Sequence, residues 1–594
     1  NRVSQEVRVR FSLRPPEIMN LDNLNNLIEL FSLQANKQNK KDIFLEWLNP
    51  LDKKTYTWEE TQKNILKLSK IIRENIIEDD RCLLVSENRP EWFISDMAIM
   101  LSGGITVPAY TTYTEEDYKY LIEDCEPSLV IVSNNQMLKK LNNIINEKKF
   151  IKKIITLDEV NKATNKLKII DKNKYLDFNT ILKNNLLEED KIQNNKLKRT
   201  SPACIIYTSG TGGNPKGVIL SHGGILNNLV GASKILKPLI DSKPVFLTWL
   251  PLSHSYEHSV QFVQIAVGAK VFYAEKIEKL LENISEAKPT IMTAVPRFYQ
   301  NLYNKININL KKQSGFKAKL IDATIRLGKK KLLNQKMTIL EKFVNMITEV
   351  LVRKKIKKQF GGNLKAFVSG GGALDKEIGE FLNSVGLPTL QGYGLTETSP
   401  VVSCNPIDKI KVETVGPPFQ GNQVKIADDG EILVKGENVM LGYWNKKEET
   451  DEVIIDGWLH TGDIGEIDPE DGYLKITDRK KDIIVSAGGD NISPAKIENM
   501  ITNEPEIDQC MVYGDKKNYL VALIVPSKDF LREKEIINNV IEKINKKLTV
   551  LEKIKKIQLI DENFSIENGL MTPTMKVKRK KVTEKYKNQL EKLY

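Results

Sequence analysis

Three times in this chain a short apolar run breaks straight into a loop of glycine, serine and threonine. ACIIY (203–207) leads into TSGTGGNPKG, LKAFV (364–368) into SGGG, and LPTL (387–390) into QGYGLTET. Helical stretches separate the three, so the pattern predicts strands of a parallel α/β sheet. In such sheets ligands bind beyond the carboxyl ends of the strands, where these loops would gather. One glycine-rich loop is most often a plain turn. Three, each after a strand, are hard to explain as turns alone.

The first loop offers hydroxyls at Thr208, Ser209 and Thr211, backbone amides at Gly210, Gly212 and Gly213, and one cation, Lys216. Small residues let N–H groups close on phosphate oxygens, and a lysine adds a point charge. It is not a P-loop, because Lys216 lies between Pro215 and Gly217 with no Ser/Thr after it. In the third loop Glu397 sits among Tyr393, Thr396 and Thr398. A carboxylate at a phosphate site is electrostatically wrong unless a cation intervenes, so Glu397 reads as a Mg²⁺ ligand. The bland alternative is a surface glutamate at a helix start, and this residue alone does not decide between them.

Beyond residue 400 the texture changes. GEILVKG, GWLHTGDIGEI and GYLKITDR alternate strand-like runs with Gly/Asp turns, a β-rich element. Asp463 follows a glycine there, a good place for a carboxylate to take both hydroxyls of a ribose. DRKKD (478–482) is a dense polar hinge. After it QCMVYG, YLVALIVP and EKEIINNVIEKINKKL carry strand and helix signals of a small second domain.

Charge and cysteine usage narrow the class. The chain has 89 Lys+Arg against 77 Asp+Glu, a formal +12, and residues 305–358 alone hold 16 of the former against Asp322, Glu341 and Glu349, a net +13. That segment also has helical spacing of apolar residues (Ile339, Phe343, Met346, Ile347, Val350, Leu351). It reads equally as a basic amphipathic helix on an anionic bilayer or as a solvated face in a lysine-rich chain. Nucleic acid is a poorer fit, since neither zinc-finger spacing nor an RNP-like aromatic motif is present. Five scattered cysteines without CxxC suit a reducing cytoplasm, with the inner face of the membrane as the place of any peripheral contact. Cys204, in an apolar strand, reads as core. No apolar run reaches the ~18–20 residues of a spanning helix. Residues 1–18, arginine-rich and ahead of Met19, read as a non-native or disordered leader.

Taken in order, YTSGTGGNPKG, QGYGLTET, GWLHTGD and DRKKDIIVSAGGDNISP resemble the signature motifs of the adenylate-forming, AMP-binding superfamily. TWLPLSHSYEH (248–258) and the extra residue in SAGGDNISP make the set most similar to its long-chain acyl-CoA synthetase branch. The resemblance implies a large domain, 19–478, of parallel and mixed sheets flanked by helices with a β-rich subdomain. A hinge at 479–482 and a small mobile α+β domain, 483–594, would follow.

By position, Thr208 to Lys216 would hold the β- and γ-phosphates of ATP. Gly370, Gly371 and Gly372 would line the adenine pocket, with Gln391, Gly392, Tyr393 and Gly394 against the base. Thr396 and Glu397 would meet the α-phosphate and Mg²⁺, Asp463 and Arg479 the ribose side. His254 would lie beside the acyl pocket, Lys481 at the hinge, and Ser486, Gly488, Gly489 and Asp490 in the loop that serves the thiol. Lys576 takes the place of the family's C-terminal catalytic lysine by register from Pro573, with Lys578 the neighbour that competes for it. Gly212 departs from the common TSGTTG, removing a hydroxyl but not the backbone donors. The implied activity is ATP-dependent activation of a fatty acid and transfer to CoA. Acyl carrier protein as acceptor, a ligase for other carboxylic acids and a catalytically dead nucleotide- or lipid-binding relative are the alternatives.

Overall fold

The computed structural model describes residues 19–159, 172–186, 190–194, 196–208, 214–488, 490–531, 533–572 and 576–594, without the side chains of Lys172 and Lys311. Residues 1–18, expected from sequence to be a leader, lie outside this set.

The three strand-to-loop runs do not share one sheet. Ala366–Ser369 and Thr389–Gly394 are parallel neighbours in an eight-stranded sheet that continues through Ile291–Ala294, Val245–Thr248, Lys270–Tyr273 and Ile43–Trp47. Pro202–Thr208 belongs to a second eight-stranded sheet, parallel to Ile105–Ala109 on one side. On its other side it pairs antiparallel with Lys216–Ser221, the strand that follows its own loop. Both sheets are parallel inside and antiparallel at one or both ends, so each is mixed. The expected clustering of loops is met across two sheets rather than along one.

Between the sheets run helices Pro90–Leu101 and Ser255–Ala266, every residue of which is buried. A helix covered on all sides needs apolar residues around its whole circumference, and PEWFISDMAIML nearly supplies them. One hydrophobic cluster joins both sheets through these helices, from Leu84 and Ile131 to Phe246 and Val271. No helix among the described residues is long and apolar enough to cross a membrane.

Polar groups fasten the two buried helices to each other. Asp96 Oδ2 receives His258 Nε2 at 2.8 Å and Gln261 Nε2 at 3.0 Å. Burial alone would lower the imidazole, but Asp96, then Cys204, raise His258 to about 10. Cys204 is core as expected, although His258, remote in sequence, contacts its thiol. Because the folded value lies above the ordinary 6.5, this pair's stabilisation is complete below that pH and is lost as pH rises toward 10. Asp96→Asn therefore lowers stability at pH 6 by about 1.5–3 kcal/mol, the usual worth of a hydrogen bond to a charged group. Urea titration of both proteins should show the gap closing between pH 7 and 10; a constant gap would remove His258 from the explanation.

The β-rich runs form a five-stranded antiparallel sheet of Gln423–Ile426, Glu431–Lys435, Trp458–Ile467, Ile454–Ile455 and Leu474–Arg479. After it comes the smaller unit, a three-stranded sheet of Ile507–Tyr513, Leu520–Pro526 and Ile554–Leu559 packed on helices Pro494–Thr502 and Lys534–Asn545.

Candidate active site

The carboxyl ends of both sheets, the β-rich sheet and the smaller unit open onto one cavity of about 1430 Å³. Thr208 and Lys216 line it from the second sheet, Gly370 and Gly371 from the first, and residues 392–397 from the third loop. That loop doubles back so tightly that a Cβ on Gly394 would lie 1.7 Å from the Pro400 carbonyl oxygen, so only glycine fits. Ser209, Gly210, Thr211, Gly212, Gly213 and Gly489 lie outside the described residues.

Glu397 faces the cavity with Oε1 receiving the Tyr443 hydroxyl at 3.0 Å, and it makes no ion pair among the described residues. Beside it Thr396 and Ser255 hydroxyls meet at 3.0 Å. No group of three or more His, Cys, Asp or Glu that could hold a metal occurs among the described residues. One unpaired carboxylate fits magnesium nonetheless, because that ion takes one or two carboxylates and completes its shell with phosphate oxygens and water. Lys216 is engaged elsewhere in this state, paired with Glu449 and lying 4.7 Å from the centre of the Tyr443 ring.

Asp463 is buried just behind the lining. Tyr393 donates its hydroxyl to Oδ2 at 2.8 Å, and Arg479 Nε stands 3.5 Å from Oδ1. Burial raises the Asp463 carboxyl, with Arg479 and Tyr393 opposing. Strand pairing explains the trio, since Asp463 and Arg479 are partners in one ladder.

Lys576 enters from the smaller unit, solvent-open at the cavity wall. The surrounding protein mass, then Arg479, lower its ammonium below the ordinary lysine value, against the pull of Asp463 and Asp482. Its charge also reaches His254, whose imidazole is pushed to about 4 by burial first and Lys576 second. His254 is thus neutral at pH 7. Its Nδ1 accepts the Tyr256 N–H at 3.2 Å, capping helix Ser255–Ala266 and leaving the ring proton on Nε2. Lys578 lines the cavity too but heads the next helix.

Four of the expected groups lie off the cavity wall or in turns in this state. Gln391 is turned away from the cavity: its side-chain nitrogen donates to Val412 O and its oxygen accepts from Leu374 N, so it braces the loop from behind. Gly372 is likewise absent from the cavity wall. Ser486 and Asp490 close a turn on one another, Ser486 N to Asp490 O at 2.9 Å, away from the cavity. Lys481 lies in a turn closed by Asp482 N to Arg479 O at 2.8 Å. Sequence reading misses Tyr443, Ser255 and Glu449. Tyr443 reaches Glu397 because Gly442–Tyr443 pairs with Lys216–Ser221 across more than two hundred residues, and no local signal announces that.

Behind this polar mouth the cavity turns apolar, walled by Ala232, Ile235 and Leu236 of helix His222–Leu236, Val260 and Val263 of helix Ser255–Ala266, and Phe246.

A family model described as AMP-binding enzyme matches residues 31–444, and one described as AMP-binding enzyme C-terminal domain matches 481–594. A long-chain-fatty-acid–CoA ligase of Mycobacterium bovis, FadD15, is 32% identical over 551 residues, covering 87% of this chain and 88% of that protein. Long chain acyl-CoA synthetase 3 of Arabidopsis thaliana is 32% identical over 586 residues, covering 91% and 86%. The chain belongs to the AMP-binding enzymes and, within them, to the long-chain fatty acid–CoA ligase family. In fold it is similar to the adenylation domain of a carboxylate reductase from Mycobacterium chelonae, with TM-score 0.79 at 20% identity, covering 98% of this chain and 94% of that one.

Proposed function

We propose that this protein activates a long-chain fatty acid with ATP and passes the acyl group to the thiol of CoA, releasing pyrophosphate and then AMP. The observation that carries the reading is a single cavity with loops for a nucleotide at its mouth and an apolar chamber behind.

In the first half-reaction a carboxylate oxygen attacks the α-phosphorus, and the bond to pyrophosphate breaks. Two anions must meet in line, so positioning and neutralisation carry the barrier. Lys576 neutralises the charge that builds between carboxylate and α-phosphate, and neutral His254 leaves that task to Lys576. Lys216 leaves Glu449 to take the outer phosphates. The hydroxyls of Thr208 and Thr396 and the residues 209–213 orient the phosphates. Gly370, Gly371 and Tyr393 frame the base, and Asp463 with Arg479 holds the ribose. Mg²⁺ bound to Glu397 would neutralise phosphate oxygens and the leaving pyrophosphate.

In the second half-reaction the thiol, losing its proton, attacks the acyl carbon and AMP departs with the electrons of the acyl–oxygen bond. The smaller domain, 483–594, would turn at 479–482 to withdraw Lys576 and bring in the loop containing Ser486 and Asp490. Mass spectrometry of products from Mg-ATP and mixed fatty acids, with and without CoA, tests the reading. Acyl-CoA with AMP is the expected result. Acyl-adenylate without acyl-CoA would move the acceptor to acyl carrier protein, and no adenylate from any acid would overturn the reading.

A further inference from the structure

The helix Ile339–Thr348 is built inside out. At ~100° per residue Ile339, Leu340, Phe343 and Met346 share one face, and that face points to solvent: Ile339 is 89% exposed, Leu340 72%, Phe343 55% and Met346 59%. Val350 and Leu351 extend the exposed stripe through the wider turn Glu349–Arg353.

The opposite, polar side is the one that packs. Glu341 Oε1 receives Arg326 Nη1 at 2.9 Å and Lys330 Nζ at 2.7 Å from helix Gly315–Leu332. Arg353 is buried and donates to Asn345 Oδ1, Thr348 Oγ1, Thr324 O and Ser384 O, all within 3.0 Å. A helix floating free would turn its apolar stripe inward. Here ion pairs and hydrogen bonds fix the stripe outward, so among the described residues these apolar side chains stay between 43% and 89% exposed.

Cations surround that stripe. Lys336, Lys342, Lys354, Lys355 and Lys358 are exposed and make no ion pair among the described residues. Glu341, the acid nearest the stripe's start, is spent on Arg326 and Lys330. An apolar ridge flanked by free lysines complements a surface with negative charge outside and hydrocarbon beneath. Lysine stems can lie along the apolar layer while their ammonium groups stay at the phosphates.

We propose that residues 336–358 dock the protein on an anionic lipid surface, with Ile339, Leu340, Phe343, Met346, Val350 and Leu351 entering the acyl layer and the flanking lysines meeting headgroup phosphates. The contact is peripheral and reversible, since one short ridge supplies it. It is independent of the acyl-activation chemistry, and its test needs no turnover.

The test is flotation of the full chain with vesicles of phosphatidylcholine alone or with about 30 mol% phosphatidylglycerol, in about 0.15 M salt. The expected result is flotation with the anionic vesicles, little with phosphatidylcholine, and release at about 1 M salt, where screening shortens to ~3 Å. F343E/M346E and K354E/K355E should each weaken partition roughly tenfold or more, with thermal unfolding temperatures unchanged because all four side chains are exposed. Absence of flotation with anionic vesicles would overturn the proposal, as would flotation that neither variant weakens. Sedimentation velocity tests the rival occupant: a concentration-dependent dimer abolished by F343E/M346E would assign the stripe to a second copy instead.

Discussion

Lys576→Ala loses roughly 10²–10³-fold in acyl-adenylate formation, the cost of removing one preorganised group aimed at developing charge. ATP binding should survive, because in the proposed reading Thr208, Lys216, Gly370 and Gly371 serve the nucleotide from elements other than the one that carries Lys576. The loss is in the chemical step, so kcat falls and the KM for ATP changes little. pH adds a second reading. The protein mass around the cavity and then Arg479 hold the Lys576 ammonium below its ordinary value, so the proton leaves as pH rises through that lowered value. Adenylate formation therefore declines on the alkaline side, earlier than an unperturbed lysine would dictate. Lys576→Arg keeps the charge and should move that decline to higher pH while costing rate through altered geometry. Single-turnover adenylate formation across pH measures both. A full rate in Lys576→Ala would reject the assignment, and a collapse in Lys578→Ala alone would transfer it to that residue.

The loops are legible because each is contiguous: a strand, then a run of small residues. Lys216 and Glu397 stand out as the charged groups among the small residues of two of them, and Asp463 by its place after a glycine. What is not legible depends on which strand pairs with which. That Pro202–Thr208 and Ala366–Ser369 lie in different sheets, and that Tyr443 arrives beside Glu397 on a two-residue edge strand, follows from long-range pairing that local pattern does not encode. Gln391 illustrates another limit. Its place in QGYG suggests the base, yet alternation along a strand sends successive side chains to opposite faces, and its side is the one facing Val412. The helix at 339–348 shows a third. Periodicity reveals an apolar stripe but not its direction, which Glu341 and Arg353 decide by fastening the other side.

Glu397→Gln keeps the shape and the Tyr443 hydrogen bond but removes the charge, and it should cost adenylate formation about 10²-fold or more, since a bound cation is worth several kcal/mol of charge stabilisation. Tyr443→Phe does the reverse: the carboxylate stays, and one hydrogen bond to that charged group is lost, worth about 1.5–3 kcal/mol at most, with no change in the magnesium requirement. Comparing the two separates charge from positioning. If Glu397 acts as a ligand to Mg²⁺, the Gln variant also needs more magnesium to reach its own maximum rate. Equilibrium binding of ATP at varied magnesium should show the same displacement without turnover. Tyr443→Phe also removes the hydroxyl from the ring beneath Lys216, yet leaves the ring itself, so the Lys216 contact at 4.7 Å survives and does not confuse the comparison. Equal losses in the two variants, with no change in the magnesium requirement, would mean that Glu397 serves to hold the loop, and its carboxylate would then be a structural group with no metal to bind.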